Sequence, residues 1–276
     1  MTATGTRYLA RVCLWGLLLS LAVVVVYPLL WMVLNGFKTN AELFANPFAL
    51  PHQWGLGNFA AAWDRGVSSY LATSVFVTIV STLSTALLSA WAAYGLTRLR
   101  VPLEGPLTAV VLAGLMLAPT VALIPLVQLF QRLGLYNSVW ALVILYTAFR
   151  IPFTTFLIRA YMVEIPREID EAASIDGAGP GYTFWRIVLP LCKPIMASVV
   201  ILHVLFAWNE YLFAMIFTSG AGTQTLPVGL TNLMARHGTD YPVVFAGMAI
   251  AALPMVLLFF GGQRWFIRGL ADGVGK

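Results

Sequence analysis

An all-α chain embedded in a lipid bilayer and crossing it six times is what this sequence predicts, and three observations carry the prediction. Of its 276 residues 60% are hydrophobic and only 10% charged, with a mean hydropathy of +0.85. A soluble domain carries charge on about 25% of its residues. Six stretches, at about 12–34, 69–97, 106–131, 139–160, 194–217 and 243–264, are charge-poor enough to supply the ~20 apolar residues that cross ~30 Å of hydrocarbon. The basic residues, finally, are distributed unequally between alternate connections.

The first stretch follows Arg7 and Arg11, but its run of about 23 apolar residues exceeds the roughly 7–15 of a signal-peptide core. No A-x-A-like cleavage site closes it, so residues 12–34 are expected to be an uncleaved anchor helix. Residues 35–68 form a long connection punctuated by Asn46-Pro47, Leu50-Pro51 and Gly55-Leu56-Gly57, with Trp54 and Trp63 as interfacial anchors. A short loop around Arg98, Arg100, Pro102 and Glu104 joins the second and third stretches, and a tight turn at 134–138 joins the third and fourth. The connection at 161–191 is long, as is 219–240, whose Gly220-Ala221-Gly222, Pro227 and Gly229 would let it dip back toward the membrane. Pro28, Pro119, Pro125, Pro152 and Pro254 lie in or at the edges of the stretches, where kinks free backbone groups that protein or a wet cavity must satisfy.

Orientation follows from the basic residues. With the amino terminus inside, Arg7, Arg11, Arg98, Arg100, Arg159, Arg167, Arg186, Lys193, Arg264, Arg268 and Lys276 fall on the cytoplasmic side. Lys38, Arg65, Arg132 and Arg236 fall outside. Both termini are therefore expected in the cytoplasm. The formal charge of +5 is mostly this topology signal, and nucleic acid is not an expected partner. Cys13 and Cys192 both sit near a reducing face, so neither a disulfide nor a metal site is expected.

Two charges lie at membrane depth, where ionisable groups are functional candidates. Arg150 is near the middle of the fourth stretch and Glu210 is late in the fifth, at depths several Å apart at 1.5 Å per residue, so the two are predicted to interact. The pair reads either as a structural fixture or as a pathway lining or gate. Its neighbours Trp208, Asn209 and Tyr211 offer flat apolar faces and an amide. They suit either a sugar ring or the polar glue between helices. His203 reads as a neutral, hydrogen-bonded helix-interface residue.

Within 161–191, Pro166 suits a first helical turn, and Glu168, Asp170 and Glu171 put negative charge at the positive end of the helix dipole. Ala172 and Ala173 give a smooth surface for close approach. Gly177 can take the left-handed conformation that ends a helix, Gly179-Pro180-Gly181 turns the chain, and a second helix from Tyr182 to Leu189 is expected to stop at Pro190. A helix, a glycine turn and a helix result.

The spacing Glu171-Ala172-Ala173, three residues, Gly177, nine residues, Ile187, one residue, Leu189-Pro190 resembles the E-A-A-x3-G-x9-I-x-L-P signature of ABC importer permeases. The whole chain is similar to the carbohydrate-uptake branch, of the maltose-permease G-subunit type, through Phe37-Lys38-Thr39, Asn58-Phe59, Trp208-Asn209-Glu210, Thr225 to Leu230 and Gln263 to Leu270. The family's closing tail, commonly G-L-T-x-G-A-V-K-G, enters the ATPase dimer; Ala271, Asp272 and Val274-Gly275-Lys276 depart from it. The resemblance implies a single permease domain over 1–276 with the type I importer transmembrane fold, in a bacterial inner membrane. Its expected partners are a second homologous permease, an ATPase dimer, an extracytoplasmic sugar-binding protein and membrane lipid. It implies that Glu171, Ala172, Ala173, Gly177, Ile187, Leu189 and Pro190 couple to the ATPase. No cofactor is expected on this chain, since ATP and Mg would sit on the partner ATPase.

The chain contains no Walker A sequence, so it is not expected to hydrolyse ATP itself. A secondary transporter driven by an ion gradient is the alternative, and it would want an inverted repeat and several intramembrane carboxylates. Glu210 is the one acidic residue deep in a stretch. An embedded enzyme is weaker still, because no H-E-x-x-H, paired carboxylates or nucleophile–base set falls within the stretches.

Overall fold

The computed structural model describes residues 3–99, 101–220, 222–237 and 240–274, without the side chains of residues 3–10, 236–237 and 264–274. Arg100, Gly275 and Lys276 lie outside the described residues, as do the side chains of Arg7, Arg236, Arg264, Arg268, Ala271 and Asp272, so part of the charge count and the tail comparison are not met here. Helix is the regular structure found among the described residues, with no strand. The chain divides into two compact units, Met1–Ser68 with Leu230–Pro254 and Ser69–Gly229 with Met255–Lys276.

In the first unit, α1 (Ala3–Asn35) is exposed from residue 11 to residue 30 although every turn is apolar. A helix hydrophobic all round needs lipid or another protein about it. Its last turn is anchored: Asn35 is buried and donates to the Trp31 carbonyl at 2.7 Å, and the Trp31 ring meets Phe245 edge-on at 5.2 Å. The next helix, α2 (Asn40–Ala45), begins in a capping box in which Thr39 and Glu42 each satisfy the other's backbone N–H. Lys38 is buried and donates to the carbonyls of Asn46 and Pro47 at 3.3 and 3.0 Å, which closes the far end of α2. Asn58 spans back to the carbonyls of Gly36 and Lys38 at 2.9 and 2.8 Å. Phe37 packs on Phe59 and Trp54.

From α3 (Gly57–Ala62) a widened turn at Trp63–Val67 redirects the chain, with Gly66 at φ 115°, where a side chain would be strained. The unit's core joins Ala62 and Val67 to Leu233 of α13 (Leu226–His237) and to Val243, Val244 and Ala246 of α14 (Tyr241–Val274). At its edge Arg65 pairs with Asp240 at 2.8 Å.

The second unit is built about α4 (Ser68–Arg98) and α7 (Val139–Glu164). One face of α4 carries Ser74, Thr78, Ser81, Thr82, Thr85 and Ser89, all buried. Small hydroxyl residues let helices approach closely and bond across the gap, as Ser81 does to His203 at 3.1 Å. Around α7, Leu142, Leu145 and Tyr146 pack with Val77, Phe130, Phe213 and Phe217. A second cluster joins Ala90, Ala93 and Tyr94 to Ile158, Met162, Phe184 and Val188.

Among the described residues, four helical segments, Arg11–Asn35, Gly57–Arg98, Val139–Glu164 and Tyr241–Gln263, are long and apolar enough to cross a bilayer. The two other expected stretches are interrupted. The third consists of α5 (Glu104–Met116) and α6 (Leu123–Arg132) with six non-helical or turn residues between. Pro119 lies in that break, where it lacks an N–H and disfavours helix at the residue before it. The fifth consists of α11 (Lys193–Asn209) and α12 (Leu212–Phe217), separated at Glu210-Tyr211. Pro28, Pro152 and Pro254 lie inside continuous helices, and Pro125 occupies the first turn of α6.

Candidate functional site

The 161–191 segment folds as a helix, a glycine turn and further helix. α8 (Glu168–Ile175) carries Glu168, Asp170 and Glu171 in its first turn. It ends in a Schellman arrangement: Ala178 N–H donates to the Ala173 carbonyl at 2.9 Å and Gly177 N–H to the Ser174 carbonyl at 3.0 Å. Gly177 has φ +80°, the left-handed conformation expected of it, with open space where a Cβ would stand. The chain resumes in α9 (Pro180–Thr183), a widened turn at Phe184–Val188 and α10 (Leu189–Leu191).

Pro190 does not end the second helix; after Cys192 the chain enters α11 directly, bent by 77°. The widened turn just before Pro190 accommodates its missing N–H, so the helical path survives the proline and bends after it.

Glu171, Ala172, Gly177 and Pro190 are exposed, Ile187 and Leu189 are half-buried, and Ala173 is buried against the body of the unit. Gly177, Gly179, Tyr182, Arg186 and Ile187 line an open hollow beside the turn. Of the motif, Ala173, Gly177 and Ile187 line this concavity.

Beneath the segment lies a set of contacts that the sequence reading missed. Arg98, at the end of α4, is 3% exposed at its side chain and pairs with Asp170 at 2.9 Å. It also donates to the carbonyls of Met162 and Ile165 at 2.7 and 2.6 Å. One turn earlier, the Tyr94 hydroxyl donates to the Pro180 carbonyl at 3.1 Å, and its ring lies 5.1 Å from Phe184. In the sequence Arg98 registers only as one more basic residue of a short loop.

The membrane-depth candidates are arranged differently from expectation. Glu210 leaves the helical conformation at ψ 126°, and its carboxylate accepts from the N–H groups of Phe213 and Ala214 at 2.8 and 3.1 Å. It acts as the N-terminal cap of α12, restarting the helix it interrupts. Its remaining partner is the buried Tyr146 hydroxyl, which donates at 2.7 Å. Arg150 is not that partner, and no ion pair joins them among the described residues. Its guanidinium lies instead over the rings of Phe153 and Phe206, 4.8 and 4.9 Å from their centroids, a cation–π seat. Both charges face the seam between α7 and α11 but one helical turn apart along it, Glu210 level with Tyr146 and Arg150 level with Phe206.

Trp208 is buried, whereas Asn209 and Tyr211 are exposed, Asn209 donating to the Leu205 carbonyl at 2.8 Å. The four residues 208–211 therefore share a helix break and do not converge on one pocket. His203 is buried with one ring nitrogen on Ser81, the helix-interface position expected of it.

The family described as binding-protein-dependent transport system inner membrane component matches residues 86–272. The probable ABC transporter permease protein YurM of Bacillus subtilis is 42% identical over 266 residues, covering 96% of this chain and 89% of that protein. The diacetylchitobiose uptake system permease protein NgcG of Streptomyces coelicolor is 32% identical, covering 94% of this chain and 86% of its own length. In fold, a chain of a bacterial ABC transporter involved in the import of the acidic polysaccharide alginate matches with a TM-score of 0.83 at 20% identity, over 96% of this chain and 98% of that one.

Proposed function

Because the chain belongs to the family of binding-protein-dependent transport system inner membrane components, we propose that it is the translocation subunit of an ATP-driven importer whose cargo is a sugar or short oligosaccharide. One observation carries the reading of mechanism: the helix, Schellman turn and helix from Glu168 to Leu191 leave Glu171, Ala172 and Gly177 exposed, and Gly177 lines an open hollow with Ala173, Tyr182 and Ile187. Such a surface suits docking by another protein. The carbohydrate relative supports the class of cargo.

In this reading the chain is one permease domain over residues 1–276 that crosses the membrane six times with both termini in the cytoplasm. The third and fifth crossings are the broken ones, α5 with α6 and α11 with α12. The basic bias of the short connections supports the orientation. A second homologous permease completes the pathway, an extracytoplasmic binding protein delivers the sugar, and two ATPase subunits hold ATP and Mg. Glu171, Ala172, Ala173, Gly177, Ile187, Leu189 and Pro190 form the surface that rides on one ATPase. ATP-driven closure of the ATPases displaces this surface and rocks the permeases from inward-open to outward-open.

Trp208, Asn209, Glu210, Tyr211 and Arg150 lie at the pathway or its gate in this reading, with the break at Glu210 as the point where α11 and α12 change direction independently. The chain contributes no catalytic group.

The test is reconstitution with partner permease, ATPase and binding protein in liposomes. Uptake of the sugar that thermally stabilises the binding protein should require ATP and all four kinds of subunit. Uptake driven by an ion gradient in liposomes lacking the ATPase would overturn the proposal.

A further inference from the structure

We infer that Arg98 is a positioning residue that fastens the ATPase-facing segment to the ends of α4 and α7, so that the segment and both membrane helices move together. The inference rests on the coupling role proposed above.

One guanidinium here serves three acceptors on two elements besides its own. Asp170 lies in the first turn of α8, whereas Met162 offers a carbonyl of the last turn of α7, shared with the Ile165 N–H, and Ile165 offers the carbonyl of the residue that caps that helix. A cation at a helix C-terminus and an anion at a helix N-terminus are each favoured by the dipoles, so Arg98 and Asp170 sit where the two helix ends want them. The fork of the guanidinium reaches carboxylate and carbonyls simultaneously; an ammonium offers a single point of charge and cannot reproduce that spread.

Tyr94 stands four residues before Arg98, on the same face of α4. It holds α9 through the Pro180 carbonyl and the Phe184 ring, while Arg98 holds α8. Arg167, just ahead of α8, adds a donor to the Thr97 carbonyl at 3.4 Å. The two helices on either side of the Gly177 turn are thus gripped by two residues one turn apart. A push on α8 cannot be absorbed by swinging the segment without breaking a buried, charge-assisted contact.

The experiment uses the reconstituted importer with Arg98→Met, Arg98→Lys and Asp170→Asn, each also carrying Ser174→Cys for cross-linking to the ATPase. Ser174 is exposed on α8. The readouts are sugar molecules taken up per ATP hydrolysed and cross-linking yield. Arg98→Met is expected to lower the uptake-to-hydrolysis ratio about tenfold or more, with Lys intermediate, because charge alone restores only part of the contact. Asp170→Asn, at a side chain 25% exposed, should lower the ratio more mildly, and it carries the test if Arg98→Met reaches the membrane poorly. An unchanged ratio in Arg98→Met and Asp170→Asn, with the parent still cross-linking at Ser174→Cys, overturns the inference and leaves the coupling role intact. Equal losses of membrane yield and uptake at constant ratio overturn it too, making Arg98 a folding residue. Absence of cross-linking in the parent, together with full uptake by Gly177→Val, overturns the coupling role itself.

Discussion

The Tyr146 hydroxyl donates to the Glu210 carboxylate at 2.7 Å, and the same carboxylate caps the N-terminus of α12 through Phe213 and Ala214. A lone acidic group at membrane depth is thereby given three donors, two of them backbone groups that the helix break would otherwise leave unpaired. The break and the charge explain one another.

Tyr146→Phe removes one donor from this carboxylate and should destabilise the permease by about 1–3 kcal/mol. In a double-mutant cycle read by thermal unfolding in detergent, Tyr146→Phe and Glu210→Gln should couple by about 0.5 kcal/mol or more, as partners in one hydrogen bond do. Arg150→Met and Glu210→Gln, which share no ion pair, should add to within about 0.5 kcal/mol. Strong coupling of the second pair would show that the carboxylate and guanidinium meet in a state other than the one described.

Gly177 occupies φ +80° with nothing within 4 Å of where a Cβ would stand, so substitution there strains the backbone without a clash. Uptake should therefore fall in the order Asn, Ala, Val, because Asn tolerates the left-handed region and a branched side chain does not, with the bare backbone penalty about 1–2 kcal/mol. The binding protein's affinity for sugar should stay constant across the series. A Val variant that transports as well as the Asn variant contradicts the role given to this turn.

The capping box of α2 predicts a pH dependence. Hydrogen bonding to the Thr39 backbone holds the Glu42 carboxyl below its ordinary 4.5, so between its folded and unfolded pKa values the unfolded chain binds more protons. The stabilisation is complete above the unfolded pKa and is lost as pH falls through the folded one. Unfolding temperatures of Glu42→Gln and parent should accordingly differ at neutral pH and converge in acid. A difference that persists or grows on acidification would assign the effect to something other than the carboxylate.

Single cysteines at Ser174 and Gly57, both exposed, should react with a membrane-impermeant maleimide from opposite faces in a variant lacking Cys13 and Cys192. Labelling of both from the outside would exclude the six-crossing orientation.

Much of the 161–191 segment was legible because its signals are local. Acidic residues at a helix start, a glycine at the left-handed position and Gly179-Pro180 before the next helix are each read by the backbone within a few residues. Composition likewise determined the class of chain, since a 10% charged sequence has too little polar surface for water. The apolar stretches expected at 12–34, 69–97, 139–160 and 243–264 each fall within a helical segment, and those segments are long and apolar enough to span a bilayer.

What only the tertiary structure decided was which residues meet across helices. Apolar length does not reveal that Pro119 opens a gap in the third stretch, whereas Pro28 and Pro152 are absorbed within helices, because the outcome depends on neighbours that satisfy the freed backbone. Sequence position placed Arg150 and Glu210 at similar depth only to within a turn, and across the α7–α11 seam that turn gave Glu210 the Tyr146 hydroxyl and left Arg150 over the rings of Phe153 and Phe206. Arg98 counted as loop charge until Met162, Ile165 and Asp170, more than sixty residues away along the chain, were seen to close around it. Hydropathy and turn chemistry are properties of neighbours in sequence; the satisfaction of a buried charge is a property of neighbours in space.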